Sequence, residues 1–228
     1  MKFKKLITFF VLCFLMCNTA FATNVKFAKV VFVGDYGCGK TSIWKRLMGE
    51  GFDPDETRSD KLISRDIVKF DGEDIINLRV WDTAGLDRYY KDVVNFTADA
   101  DFIFIVHDLD KKFDDSDKNY LSRIYRDIHE KISGRDCKIV LVGSKLDLRC
   151  RNIVNSTQQA KLLNDVAKHI PCAFILTSAK NEDDSGINSI VNYMVESCKE
   201  MTLPDKSPES VLRFGVDLPS DNGGCTIL

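Results

Sequence analysis

A glycine-rich segment, GDYGCGKT at residues 34–41, carries residue types that can hold a chain of phosphates. Glycines allow successive backbone N–H groups to converge on phosphate oxygens. Lys40 can place a positive charge between the last two phosphates, and the Thr41 hydroxyl can bind Mg²⁺. We therefore predict a nucleotide-binding loop whose phosphate contacts come from Gly37, Cys38, Gly39, Lys40, Thr41 and Ser42.

A second segment, WDTAG at residues 81–85, can complete the phosphate and metal site. Asp82 ends a predicted strand and can hold Mg²⁺ through a water molecule. The backbone N–H of Gly85 can reach the third phosphate of a nucleoside triphosphate. The pattern D-x-x-G is weak by itself, so its weight depends on the other segments.

Two further segments, SKLD at 144–147 and TSAK at 177–180, each follow a buried apolar run. Asp147 can accept hydrogen bonds from two donors on one edge of guanine, which adenine lacks. Lys145 can lie along the purine face, and the Ala179 N–H can donate to the guanine carbonyl. Either tetrapeptide alone could be an ordinary polar loop. Four such segments, each at the carboxyl end of a strand, indicate the ligand-binding edge of an open α/β sheet.

The elements that must position these segments follow from the hydrophobic pattern of the 228-residue chain, of which 44% is apolar. Near-continuous apolar runs are typical of strands buried on both faces of a parallel sheet. Strands that alternate with helices predict a doubly wound, mostly parallel six-stranded α/β sheet, with a hairpin at the Asp71-Gly72 turn. The predicted strands are 25–34, 62–70, 76–82, 101–109, 137–143 and 172–178, and the predicted helices are 41–51, 117–132, 157–169 and 186–200.

With these motifs in chain order, the sequence resembles the Ras-like small GTPases over about residues 25–200. Asp35 in the first loop and Trp81 before the aspartate of the second segment resemble the Rab branch in particular. The resemblance implies a P-loop NTPase fold, the small GTPase G domain, at residues 23–200, which binds GTP or GDP with Mg²⁺. It also implies GTPase activity, a monomeric state and switch segments that bind effectors and exchange factors. In the guanine site it adds Ser144, Ser178 and Lys180, and it places Phe52 against the base.

Two residues depart from the family pattern where GTP is hydrolysed. The family usually has Gln at the position of Leu86, where its amide orients the attacking water, and leucine cannot form a hydrogen bond. Tyr36 stands where the family has a small residue, and its phenol would crowd that amide and any arginine that a partner inserts. Such an arginine is worth about 10³–10⁵ in rate. We therefore predict slow hydrolysis, unless Tyr36 points into solvent and another side chain orients the water.

Three other assignments depend on weaker signals. Ser144 replaces the usual Asn of the family, so nucleotide affinity should fall while Asp147 retains the choice of guanine. The switch residue that binds Mg²⁺ is Thr57 by the T-R-S pattern or Ser59 by counting from Lys40, and we assign Thr57 as catalytic and metal-binding. Phe52 could instead fill the core beneath the first helix.

The two ends of the chain carry targeting signals. Residues 1–22 contain three lysines, an apolar run and a small-residue site, the pattern of a cleaved signal peptide; the alternatives are a retained anchoring leader or a wrong start. Residues 201–228 are predicted to be a flexible tail that ends in CTIL, where Cys225 suits prenylation. We expect the protein on the cytosolic face of a membrane, in a host cell if a bacterium exports it, and secretion stays an open alternative.

Charge and cysteine content bound the function further. A formal net charge of −2 argues against nucleic acid as the main partner, because no basic field attracts a polyanion. Six cysteines follow residue 22 and are scattered singly, which favours free thiols over a disulfide framework.

These observations favour a Rab-like switch that hydrolyses GTP slowly, stays mostly bound to GTP and presents its switch surface to effectors. One alternative is a non-cycling module that stays bound to GTP and sequesters effectors or exchange factors. Another P-loop NTPase is disfavoured, because SKLD and TSAK together indicate guanine rather than adenine.

Overall fold

Six strands form one sheet in the computed structural model, which describes residues 25–55, 62–71, 74–111, 115–149, 172–181 and 185–203. The strands are β1 (Val25–Gly34), β2 (Ile63–Asp71), β3 (Asp74–Asp82), β4 (Phe102–Asp108), β5 (Lys138–Ser144) and β6 (Ala173–Leu176). Their order is β2-β3-β1-β4-β5-β6, in which only the β2–β3 pair of this sheet is antiparallel. The predicted doubly wound, mostly parallel α/β sheet is confirmed.

Helices in the described ranges follow the strands on both faces of the sheet. They are α1 (Lys40–Leu47), α2 (Tyr90–Phe96), α3 (Asp115–Lys131), α4 (Leu146–Arg149) and α5 (Ser185–Glu200), with 3₁₀ turns at Asp87–Tyr89 and Thr97–Asp99. No helix within the described part of the chain has the length and apolar character needed to cross a bilayer.

Alternation along the central strands creates two hydrophobic cores. Val30 and Phe32 of β1 pack on one face, with residues of α1 and α5 such as Ile43 and Met194. The intervening residues Val31 and Val33 pack on the other face, with Leu121, Ile124 and Ile128 of α3. Because both faces are covered, the polar segments at the carboxyl ends of these strands are held on a rigid base.

Several predicted boundaries are corrected by the structure. Helix α1 ends at Leu47 rather than at residue 51, because Gly49 adopts a left-handed φ of 76° and its N–H donates to the Arg46 carbonyl. Strand β3 begins earlier, at Asp74, and β6 is shorter and ends at Leu176. Helix α2 follows the WDTAG segment and was not predicted, because its short pattern lacks a polar cap.

Some predictions lie outside the described residues and stay predictions. These are the leader at 1–22, the switch residues Thr57 and Ser59, the helix at 157–169 and the lipidation residue Cys225. Met201, which begins the predicted tail, is 5% exposed and packs in the core beneath α5. The cysteines within the described ranges, Cys38, Cys137, Cys172 and Cys198, are free thiols.

Candidate functional site

The four polar segments meet at one cavity of about 410 Å³ at the carboxyl edge of the sheet. This position is where open α/β sheets bind ligands, because neighbouring strand ends diverge there. The cavity is lined by Tyr36, Gly37, Gly39, Lys40, Thr41, Ser42, Ile43, Phe52, Asp53, Pro54, Thr83, Gly85, Ser144, Lys145, Asp147, Leu148, Ala179 and Lys180. Most of the residues predicted for phosphate and guanine binding are therefore in this lining.

The phosphate loop joins β1 to α1 and places its lysine beneath the cavity. Gly39 precedes the helix with a φ of 95°, a left-handed conformation that glycine adopts without strain. Lys40 is 5% exposed, and its Nζ donates to the carbonyl oxygens of Gly34 at 3.0 Å and Asp35 at 2.9 Å. These bonds hold the ammonium group against the loop that precedes the N-terminus of α1, and a helix N-terminus favours an anion.

Cys38 differs from its neighbours in the loop because its side chain points into the protein. The thiol is 1% exposed and packs in the core beside α1, and burial raises its pKa. A protonated, buried thiol has no direct role with phosphate. Any contribution of Cys38 to a phosphate therefore comes from its backbone.

Two oxygen ligands suited to Mg²⁺ lie next to each other beside the loop. The Thr41 hydroxyl donates to the Asp82 Oδ2 at 2.7 Å, and the Asp82 residue is 2% exposed at the end of β3. Hydroxyl and carboxylate oxygens are ligands that Mg²⁺ prefers, so the donor set fits this ion. The third predicted ligand, Thr57, lies outside the described residues.

Gly85 packs tightly against the phosphate loop at one end of the cavity, which Tyr36 also lines, whereas the next residue, Leu86, is not among the lining residues. We call this the γ-phosphate end, after the contact that the sequence predicts for Gly85. A Cβ atom at Gly85 would lie 2.5 Å from the Lys40 Nζ and 2.7 Å from the Asp35 carbonyl oxygen. Only glycine allows this approach of the two segments. The Gly85 backbone consequently lies beside Lys40, the lysine that is predicted to bind phosphate.

Leu86 and Tyr36 occupy different positions at this end. Leu86 is partly buried in an extended conformation, and its carbonyl accepts the Tyr89 N–H at 2.9 Å to begin the 3₁₀ turn. Tyr36 lines the cavity and is 42% exposed. The phenol thus lies at the cavity mouth, where it is in contact with both the cavity and solvent.

The opposite end of the cavity is formed by Lys145, Asp147, Ala179 and Lys180, and we call it the purine end after the ligand that the sequence predicts there. The Ser178 hydroxyl donates to the Asp147 Oδ1 at 2.7 Å, which orients the carboxylate from the side. Lys145 has a left-handed φ of 58° and its Nζ lies 2.7 Å from the Asp108 Oδ2. Ser178 is not part of the cavity lining, and its hydroxyl contacts the lining residue Asp147.

Ser144 contacts the phosphate loop rather than the purine end. Its Oγ is 3.0 Å from the His107 carbonyl oxygen and also hydrogen-bonds the Cys38 carbonyl. The hydroxyl is 2% exposed. Ser144 therefore joins β4, β5 and the loop, which a short side chain at this position can do.

Phe52 lies between α1 and β2, within the described residues, and is 40% exposed. It lines the cavity with Asp53 and Pro54. This exposure does not fit the alternative that Phe52 fills the core beneath α1. It leaves an aromatic face available to a planar ligand.

Sequence reasoning missed several residues of the site. Asp108 holds Lys145, and Thr83 donates from a buried hydroxyl to the Phe32 carbonyl at 2.7 Å. Lys111 forms an ion pair with Asp35 at 2.8 Å. Asp108 was detectable as the polar residue that ends a buried strand beside β5, whereas no local pattern pairs Lys111 with a residue 76 positions away.

Comparison with known proteins identifies the family. A model of the Ras family matches residues 29–200. The chain belongs to the Ras family. The Ypt/Rab-type GTPase YPT7 of Saccharomyces cerevisiae is 30% identical over 159 residues, which cover 67% of this chain and 73% of the yeast protein. This likeness agrees with the Rab-like residues Asp35 and Trp81 of this Ras-family protein.

A second relative is much longer than this Ras-family chain. The Ras and EF-hand domain-containing protein homolog of Mus musculus is 31% identical over 198 residues, which cover 83% of this chain. The chain spans 30% of the mouse protein. Ras-family members are guanine-nucleotide-binding switches with GTPase activity.

Proposed function

We propose that this protein is a Rab-like guanine-nucleotide switch that binds GTP and GDP with Mg²⁺, hydrolyses GTP slowly and stays mostly GTP-bound. The observation that carries the proposal is Leu86, directly after Gly85 at the γ-phosphate end of the cavity. Its side chain has no hydrogen-bonding atom, so it cannot orient an attacking water. The binding residues of the cavity are retained, so nucleotide binding is expected to persist.

Each part of the site has a separate role in this proposal. Lys40 neutralises charge on the phosphates, and Thr41 and Asp82 hold Mg²⁺, which supplies further neutralisation of the triphosphate when bound. Asp147 selects guanine, and Lys145 and Phe52 cover the base. Tyr36 narrows the mouth of the cavity beside the terminal phosphate and excludes an arginine from a partner. GTP hydrolysis then lacks both an oriented water and the positive charge of a partner's arginine.

Single-turnover hydrolysis of GTP by the full chain tests the proposal. We expect slow loss of the γ-phosphate from the wild type and an increase on the order of tenfold for Leu86→Gln, because the amide restores orientation of the water. Leu62→Gln is the matched control, since Leu62 is 47% exposed and does not line the cavity. Binding of GTP, GDP and ATP to the same samples measures nucleotide choice.

Two results would count against this function. A wild-type rate equal to that of Leu86→Gln would mean that another residue orients the water. Equal competition by ATP and GTP would contradict the role of Asp147 and favour another P-loop NTPase.

Effector binding and membrane attachment belong to the same proposal. The GTP-bound protein would act as a monomer in membrane traffic or signalling, through effectors and exchange factors that contact its switch segments. A prenyl group on Cys225 would hold it on a cytosolic membrane face. Intact mass after expression in a eukaryotic cell measures this, because an unmodified Cys225 together with an uncleaved leader contradicts delivery to a host membrane.

The non-cycling module is the alternative within the same family. In this alternative, the same chain with Leu86 and Tyr36 keeps its nucleotide as a permanent structural element. Nucleotide exchange separates the two, because a switch releases bound GDP in the presence of excess GTP, whereas a structural nucleotide is retained.

A further inference from the structure

Asp35 of the phosphate loop is contacted by Lys40 and Tyr36 within the loop and by Gly85 and Lys111 from outside it. Its carbonyl oxygen accepts the Lys40 Nζ at 2.9 Å and lies against Gly85. Its carboxylate Oδ1 accepts the backbone N–H of Tyr36 at 2.6 Å. The other carboxylate oxygen, Oδ2, accepts the Nζ of Lys111 at 2.8 Å. One residue therefore links the lysine of the site, the tyrosine at its mouth and a cation outside the loop.

Lys111 follows β4 and reaches the loop across the edge of the sheet. Its ion pair with Asp35 is partly exposed, with side chains 44% and 48% accessible. Neither Lys111 nor Asp35 lines the nucleotide cavity. Lys111 therefore reaches the phosphate loop through Asp35 rather than by lining the cavity.

Charge on both partners favours this pairing at neutral pH. Partial burial raises the pKa of the Asp35 carboxyl, but the hydrogen bonds from Lys111 and the Tyr36 N–H and the nearby positive charges outweigh it, so the pKa lies below its usual value. The hydrogen bond to Asp35 raises the pKa of Lys111. Both groups are consequently charged throughout the physiological range.

The Asp35 carboxylate can hold the Tyr36 backbone N–H because the carboxylate is itself held by Lys111. An unanchored aspartate side chain on a loop exchanges between rotamers, and its bond to the next N–H is then intermittent. The Lys111 ammonium selects the rotamer in which Oδ1 faces that N–H. The Asp35 carboxylate thus joins Lys111 to the backbone N–H of Tyr36.

We infer that Lys111 is a positioning residue for the reaction, which acts through Asp35 to hold the Tyr36 side chain at the γ-phosphate end of the cavity. The inference rests on the proposed function, in which Tyr36 obstructs hydrolysis. In this inference, the ion pair between Lys111 and Asp35 keeps Tyr36 in the obstructing position, and Lys111 lies outside the sequence motifs. Loss of the pair lets Tyr36 move away from the terminal phosphate.

A double-mutant cycle between Lys111 and Tyr36 tests the inference in the Leu86→Gln background, where turnover is faster. In single-turnover hydrolysis by the full chain, Lys111→Met should increase the rate about two- to fivefold, the range set by a partly exposed ion pair. The same change should have no effect when Tyr36→Ser is also present, because the side chain that it releases is gone. Lys111→Arg should restore the rate of the parent.

Lys138→Met is the matched control, because it also breaks a partly exposed ion pair, with Asp136 at 2.9 Å, far along β5 from the loop. It should leave the rate unchanged in both backgrounds. A purely structural role of Lys111 would change the rate equally with Tyr36 and with Ser at position 36. Equal changes in the two backgrounds would overturn the inference. A slower rate or an unchanged rate for Lys111→Met would overturn it as well.

The two proposals can fail separately. Slow hydrolysis as a function is judged by the wild type against Leu86→Gln. The role of Lys111 is judged only by the difference between the two backgrounds at position 36, whatever the absolute rate.

Discussion

The purine end and the γ-phosphate end of the cavity differ in how closely they keep the family's residues. At the purine end, Asp147 is oriented by Ser178 and Lys145 is held by Asp108. At the γ-phosphate end, Gly85 lies close to Lys40, but Leu86 and Tyr36 stand where the sequence analysis expects Gln and a small residue. Under the proposed function, binding and hydrolysis depend on different residues, so that hydrolysis would be lost while binding persists.

The difference has a physical reason. Guanine recognition needs a few hydrogen bonds of fixed geometry, which buried strand ends supply. Hydrolysis needs an oriented water and free access for compensating charge, which two side chains in loops control. A change at either loop position alters the reaction without disturbing the sheet.

The largest effect is expected at the purine end, for Asp147→Ala. Removal of the carboxylate leaves two guanine donors without a charged acceptor, so GTP affinity should fall about 100-fold or more. Titration of GTP measures the loss, and thermal unfolding without nucleotide checks the fold. An affinity within threefold of the wild type would mean that Asp147 does not contact the base.

An intermediate effect is expected at the other end for Gly85→Ala. The added Cβ would meet the Asp35 carbonyl at 2.7 Å, so the backbone must move away from the loop. We expect GTP affinity to fall about tenfold through one lost phosphate contact, and GDP affinity to change little. Parallel titrations with the two nucleotides measure the difference. Equal losses for GTP and GDP would place Gly85 away from the third phosphate.

A smaller effect is expected for Ser178→Ala, which removes the bond that orients Asp147. One neutral donor to a carboxylate predicts a decrease of about two- to tenfold in affinity for both nucleotides. Ser189→Ala is the control, since Ser189 is exposed and bonds only its own helix among the described contacts, at the Ser185 carbonyl. If Ser189→Ala lowered nucleotide affinity as much as Ser178→Ala, the loss would be due to general destabilisation.

Much of this architecture could be predicted from the sequence, because the information is local. Apolar runs defined the six strands, and motif spacing placed Lys40, Thr41 and Asp147 at one edge. Helix α2 could not be predicted, since its seven residues gain stability mainly from packing of Tyr90 and Phe96 in the core beside α3. Contacts such as Lys111 with Asp35 depend on tertiary folding and leave no local pattern.

The most direct test of the account is single-turnover GTP hydrolysis by the wild type and by Leu86→Gln/Tyr36→Ser, after both have been loaded with equal amounts of GTP. The account predicts equal loading, a nearly inert wild type and clear turnover by the double variant. If the wild type already hydrolyses GTP as fast as the double variant, Leu86 and Tyr36 do not limit the reaction, and the protein is an ordinary cycling GTPase.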